Sequence, residues 1–276
     1  IYELSEGIMK KQIVKPIVIG VVINILFLVT EIIFQYLGVF DETVRLYVVD
    51  EILRFVFGIA AIIGINYCYK NEMSEHSLKE YFTHKIPKAT WLYITPFAAY
   101  LVIQIVMCFF ANAYTLRLLW LFPINALQQV LTGWFEESVR VLILCGMLKY
   151  MCDTGKGRVK TVLISGALFG LSHGLNFFFG NDALGTLAQV LSCATWGFFM
   201  AAIFMISRNL PLVMIMHAVW DIIIRIDNFF FGFPEESLPL DILNIIGQIA
   251  EYGGLVFVAF YIAVKYEKII RKNAEP

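Results

Sequence analysis

Charge is scarce in this chain. Asp, Glu, Lys and Arg make up only 16% of its 276 residues, against about 25% in a typical soluble domain. With 59% hydrophobic residues and a mean hydropathy of +0.75, an ordinary water-soluble domain is excluded. A net charge of −1 removes the basic footprint that nucleic-acid binding requires, so no nucleic acid is expected as a partner. The five cysteines (Cys68, Cys108, Cys145, Cys152 and Cys193) form no C-x-x-C pair and mostly lie in apolar runs. They read as small buried hydrophobes, not as a disulfide frame or a metal knuckle. There is no H-E-x-x-H sequence, so an ordinary zincin helix is excluded. No signal-peptide cleavage pattern is present, and the first apolar run is long enough to stay as a span. The chain opens on Ile1, which leaves its true N-terminus open.

What the chain has instead is a recurrence of apolar runs near the ~20 residues that a helix needs to cross the hydrocarbon core. Eight are expected, at about 13–40, 46–69, 89–113, 124–150, 159–179, 183–206, 210–226 and 242–266. The predicted fold is therefore all-α, a polytopic transmembrane helix bundle in one domain over residues 1–276, with membrane lipid around it. The polar connector at 70–89 reads as a short surface helix. Small residues in the sixth run, among them Gly185, Ala188, Ser192 and Gly197, favour close helix packing in lipid. On the side holding both ends of the chain, sixteen Lys and Arg fall on ends and loops, from Lys10 and Lys11 to Arg271 and Lys272. The opposite loops hold Arg45 and Arg117. By the positive-inside rule both termini are expected in the cytoplasm.

Against this background a few polar side chains stand out at membrane depth, where a charge costs at least ~2.5–3.5 kcal/mol. Glu136, Glu137 and Arg140 lie in the fourth run, His173 and Asn176 in the fifth, His217 and Asp221 in the seventh. Glu136 and Arg140 are four apart, as are His217 and Asp221, and His173 and Asn176 are three apart, so each set shares a helix face. The three faces are expected to turn toward one another. Two imidazoles and several carboxylates in a dry pocket suit the activation of water. The same donors, Glu136, His173 and His217, would be the ligand set if zinc were bound. Other charges carry blander expectations. Asp50 and Arg54 read as an interfacial ion pair, Glu31 as an interfacial acid, and Arg225, Asp227 and Glu251 as interfacial or structural. Trp134, Trp196 and Trp220 read as packing beside the polar edges.

The pattern of Glu-Glu with a nearby Arg, then Phe169-x-x-x-His173, then His217-x-x-x-Asp221, resembles the CPBP intramembrane proteases. That family includes the eukaryotic CAAX prenyl endopeptidases and bacterial Abi-type proteins. The resemblance covers about residues 124–226, the expected protease-like core, and implies an intramembrane endopeptidase acting on a membrane-associated peptide or protein. It implies that Glu136 is the general base holding water with His173, that His217 and Asp221 form the oxyanion site, and that Glu137 and Arg140 support them. Prenylated proteins are the substrates implied for the eukaryotic branch. Peptide pheromones or bacteriocin leaders fit a bacterial plasma-membrane protein, which the short loops favour.

The chain departs from the family in one place. The usual first motif is E-E-x-x-x-R, whereas here Arg140 comes one residue early. Arg140 is then expected to pair with Glu136, with Glu137 as the alternative base. A glutamate-activated water without metal is the expected chemistry. A non-catalytic membrane scaffold on the same fold is the competing reading. An ion-coupled transporter lacks an inverted repeat or paired broken helices to support it.

Overall fold

A computed structural model describes residues 2–38, 43–111, 122–179, 182–225 and 238–274. The expected loop residues Asp41, Glu42, Arg117, Asp227, Pro234, Glu235 and Glu236 lie outside them, as do the side chains of Arg45, Cys108 and Pro239. Among the described residues the chain is helical throughout, with no strand. The helices are α1 (Tyr2–Tyr36), α2 (Thr43–Lys70), α3 (Leu78–Thr83), α4 (Lys88–Ala111), α5 (Phe122–Tyr150), α6 (Gly155–Ser172), α7 (Ala183–Ser207), α8 (Leu210–Ile224) and α9 (Leu238–Ala274). All but α3 coincide with the expected apolar runs. Among the described residues four stretches are long and apolar enough to cross a membrane: Met9–Tyr36, Lys88–Val106, Gly155–Phe178 and Ala183–Ser207. Helices thus stand where the eight spans were expected, but only these four have membrane-spanning length and apolarity, so the count of eight is not established. At 15 residues, α8 is about 22 Å long, shorter than the ~30 Å hydrocarbon core.

The outer surface explains the composition. Val14, Val18, Val22, Ile25, Val29 and Ile33 form an exposed aliphatic face along α1. Such a face is far larger than water tolerates on a monomer, and lipid covers it without cost. The interior is centred on α5, whose residues from Phe135 to Leu148 are almost all buried apart from Glu136. Helices α1, α2 and α8 pack along α5, while α6, α7 and α9 pack on one another, and the two groups meet across a cavity.

Two contacts bring backbones unusually close. A Cβ on Gly133 of α5 would lie 2.6 Å from the Met214 carbonyl oxygen and 3.2 Å from the Ala218 nitrogen of α8. A Cβ on Gly58 of α2 would lie 1.9 Å from Trp134 Nε1 of α5. Only glycine permits either approach, and both contacts flank the segment carrying Glu136 and Glu137.

The start of α8 is fixed by a corner. Arg208 ends α7 in the left-handed conformation (φ 50°), and the Asn209 side chain caps α8 by accepting from the Leu212 N–H at 2.8 Å. Asn209 Nδ2 also donates to the His84 carbonyl at 2.7 Å, and Arg208 pairs with Glu75 at 3.1 Å. These bonds tie the corner to the 70–88 connector. There Ser77 and Glu80 form a capping box that starts α3, as a short surface helix requires. The corner sets the rotation of α8, and so where its second turn projects His217.

Candidate active site

The cavity has a volume of about 710 Å³, within the ~300–1,000 Å³ range of ligand sites. Glu136, Arg140, His173, Asn176, His217 and Asp221 all line it. Its aromatic wall includes Trp196 stacked on Trp220 at 4.4 Å and Tyr100 on Trp220 at 4.9 Å. Trp196 and Trp220 therefore shape the cavity, whereas Trp134 packs outward between Phe55 and Gly58 of α2.

The adjacent glutamates of α5 separate cleanly. Successive residues on a helix point about 100° apart, so the two carboxylates cannot share an environment. Glu137 is fully buried and does not line the cavity. Its Oε1 accepts a hydrogen bond from His217 Nδ1 at 2.6 Å and lies 3.1 Å from Arg140 Nη2. The Arg140 contact is ionic and off the hydrogen-bonding direction, and Glu137 Oε2 has no hydrogen-bond partner. Glu136, by contrast, faces the cavity with its side chain 18% exposed. Its Oε2 lies 3.5 Å from His217 Nε2 and its Oε1 lies 3.6 Å from Arg54 Nη1. Both distances exceed a hydrogen bond, so both oxygens retain lone pairs for another donor.

Arg140 therefore pairs with Glu137, not with Glu136 as its spacing suggested. The reason lies in the surroundings of the guanidinium. It stacks over the Phe169 ring with Cζ 3.9 Å from the centroid, and Nη1 donates to the Gly197 carbonyl at 3.2 Å. Those contacts from α6 and α7 hold Arg140 on the buried side of α5, where Glu137 lies. The early position of the arginine leaves its link to the second glutamate intact.

The structure brings His217 into the centre of the acids. Nδ1 meets Glu137, while Nε2 lies 3.5 Å from Glu136 and 3.6 Å from Asp221 Oδ2. His173 arrives differently. Helix α6 stops at Ser172, and His173–Phe179 continues as a 3₁₀ segment. The ring is oriented by Nδ1, which lies 3.0 Å from the Phe169 carbonyl oxygen. A carbonyl only accepts, so Nδ1 carries the proton and Nε2 keeps the lone pair in the neutral ring. In a 3₁₀ turn residues three apart eclipse one another, so Asn176 keeps the face of His173, and both line the cavity. Asn176 donates to Gln189 Oε1 of α7 at 2.9 Å, which makes it a tie between the 3₁₀ segment and α7 at the cavity edge.

Residues outside the expected core complete the site. Arg54, read from the sequence as half of an interfacial pair, does bind Asp50, with Nε 2.9 and 3.0 Å from its two oxygens. It also reaches Glu136 and lies 3.7 Å from Glu31. Glu31, Arg54, Arg225 and Glu251 all line the cavity. The i, i+4 spacing of Asp50 and Arg54 was visible in the sequence, but nothing in it placed α2 against the fourth run.

Among the described residues no group of three or more His, Cys, Asp and Glu is arranged to hold a metal ion. Glu136, His173 and His217 do not form such a group, and each histidine has its Nδ1 held by a protein acceptor.

Residues 115–223 match the family model described as Rce1-like, type II CAAX prenyl endopeptidase. Neither the curated proteins nor the solved structures yield a match. The matched stretch contains Glu136, His173, His217 and Asp221, while Glu31, Arg54 and Glu251 fall outside it.

Proposed function

We propose, from the match of residues 115–223 to the CAAX-type intramembrane proteases of the CPBP family, that this chain hydrolyses a peptide bond using a water activated by Glu136. The observation that carries this reading is the separation of the two glutamates: Glu136 opens onto the cavity with unsatisfied oxygens, while Glu137 is enclosed behind it. A water beside Glu136 has two hydrogens to donate. One goes to the Glu136 carboxylate and the other to the free Nε2 of His173. Glu136 takes the proton as the water oxygen attacks the carbonyl carbon, and the tetrahedral oxyanion forms. His217, held by Glu137 through Nδ1 and flanked by Asp221, offers Nε2–H toward that oxyanion when protonated. Collapse of the intermediate breaks the C–N bond, and the proton on Glu136 passes to the departing amine. No metal takes part.

The substrate is a membrane-associated peptide or protein whose cleavable segment enters the aromatic-walled cavity. The chain is an integral membrane protein, and in this reading both termini lie in the cytoplasm of a bacterial plasma membrane. The early Arg140 was the motive for a non-catalytic scaffold, and its pairing with Glu137 leaves that alternative without one.

The test uses purified protein in detergent and a farnesylated, fluorescence-quenched CAAX reporter peptide. Glu136→Gln and His173→Ala are expected to lower kcat/KM by about 10²–10⁴-fold, the usual worth of a general base. Their thermal unfolding should match wild type, and a chelator should leave cleavage unchanged. Normal cleavage by both variants would sink the proposal.

A further inference from the structure

The cavity wall opposite His217 belongs to α1 and α2, which lie outside the stretch that resembles the proteases. Arg54 dominates that wall. Its guanidinium is divided among three carboxylates. Nε is bound to Asp50, whose side chain is 5% exposed and also accepts from Gln128 of α5. Nη2 lies 3.7 Å from Glu31, and Nη1 lies 3.6 Å from Glu136 Oε1. A merely structural i, i+4 pair would need only the Asp50 contact. Here the planar fork directs its two terminal nitrogens at separate acids, one of which is the proposed base. The Phe27 ring lies 5.3 Å from Cζ and restrains the fork from one side.

We infer that Arg54 is a positioning residue for Glu136, fixing the carboxylate between α2 and α8 so that its water-binding lone pairs face the cavity. The inference rests on the reading of Glu136 as base. Glu136 is flanked by charged or titratable groups from each neighbouring element: Arg54 of α2, Glu31 of α1, His173 of the 3₁₀ segment, and His217 and Asp221 of α8, with Glu137 and Arg140 on its own helix. Its two oxygens are shared between opposite walls. Oε1 looks to Arg54 and Oε2 looks to His217. Without Arg54 the carboxylate is held from one side only and is free to swing onto His217. Gly58, one turn beyond Arg54, provides the close approach of α2 to α5 that this reach requires. Arg54 is not built as an anchor for a substrate carboxylate. Three acids already surround it, and a fourth would meet net negative charge.

The experiment measures kcat and KM separately on the same farnesylated reporter, alongside thermal unfolding. Arg54→Gln is expected to lower kcat by about 10–100-fold with KM changed less than about threefold, as loss of precise placement of a reacting group does. Arg54→Lys, which keeps the charge but not the fork, is expected to recover part of that loss. Removing the arginine alone leaves Asp50 and Glu31 facing Glu136, so the double variant Arg54→Gln/Asp50→Asn serves as the folded control and is expected to remain as slow as the single one. Three results overturn the inference while the protease reading stands: wild-type kcat in both variants, a loss confined to KM, or a loss that merely follows the folded fraction. A wild-type protein inert toward the reporter, with Glu136→Gln indistinguishable from it, removes the protease reading and the role of Arg54 with it.

Discussion

A helix turns about 100° per residue, and that rotation gives two adjacent glutamates opposite duties. Glu137 looks inward to Arg140 and His217; Glu136 looks into the cavity. The same geometry makes their partners unequal in stability. Arg140 is 2% exposed, and its removal would leave the Glu137 carboxylate buried with only one hydrogen bond. Losing one member of a buried ion pair typically costs about 3–5 kcal/mol. Arg140→Ala is therefore expected to lower the unfolding temperature sharply in detergent, whereas Glu136→Gln, next to open space, should scarcely shift it. Equal stability of the two variants would show that the Glu137–Arg140 pair does not hold the core together.

At the scale of helices, the site depends on how closely α5 approaches its neighbours. Gly133 lies one turn before Glu137 and directly against α8, near the turn that carries His217. Gly133→Val would drive a side chain into the Met214 carbonyl, which is backbone and cannot swing aside. Overpacking of this kind costs about 1–3 kcal/mol. The separation of α5 from α8 should stretch the 2.6 Å Glu137–His217 bond, so activity is expected to fall far more than stability. Turnover of the reporter and thermal unfolding on one preparation check this, and a variant with normal turnover would show that the close approach is dispensable. The 3₁₀ segment is a second case. Its Phe169–His173 spacing was legible in the sequence, but the end of α6 at Ser172 was not. No proline marks that end, and the tie from Asn176 to Gln189 is made only once α7 is in place.

For the molecule as a whole, the exposed aliphatic faces of α1 and α2 suit lipid as their surroundings. The charge asymmetry of the loops is the basis of the proposed orientation. In cysteine-substituted protein, Lys156→Cys is expected to react with an impermeant maleimide from the cytoplasmic side, and Leu184→Cys from the opposite side. Labelling of both from one side would overturn the proposed topology. Much of this was written along the chain. Long apolar runs at membrane length, broken by polar loops, dictated a helical membrane bundle, because backbone polar groups in lipid must be satisfied within each helix. Glu136, His173 and His217 were legible because ionisable groups are too costly in hydrocarbon to stay there without a reason. The tertiary structure decided what local spacing leaves open. Arg140 had two glutamates within reach, and Phe169 and Gly197 settled the choice. Arg54 had an adequate partner in Asp50, and only the packing of α2 on α5 carried it to Glu136. Periodicity places a side chain on a face of its own helix, but which helix that face meets depends on contacts distant in sequence.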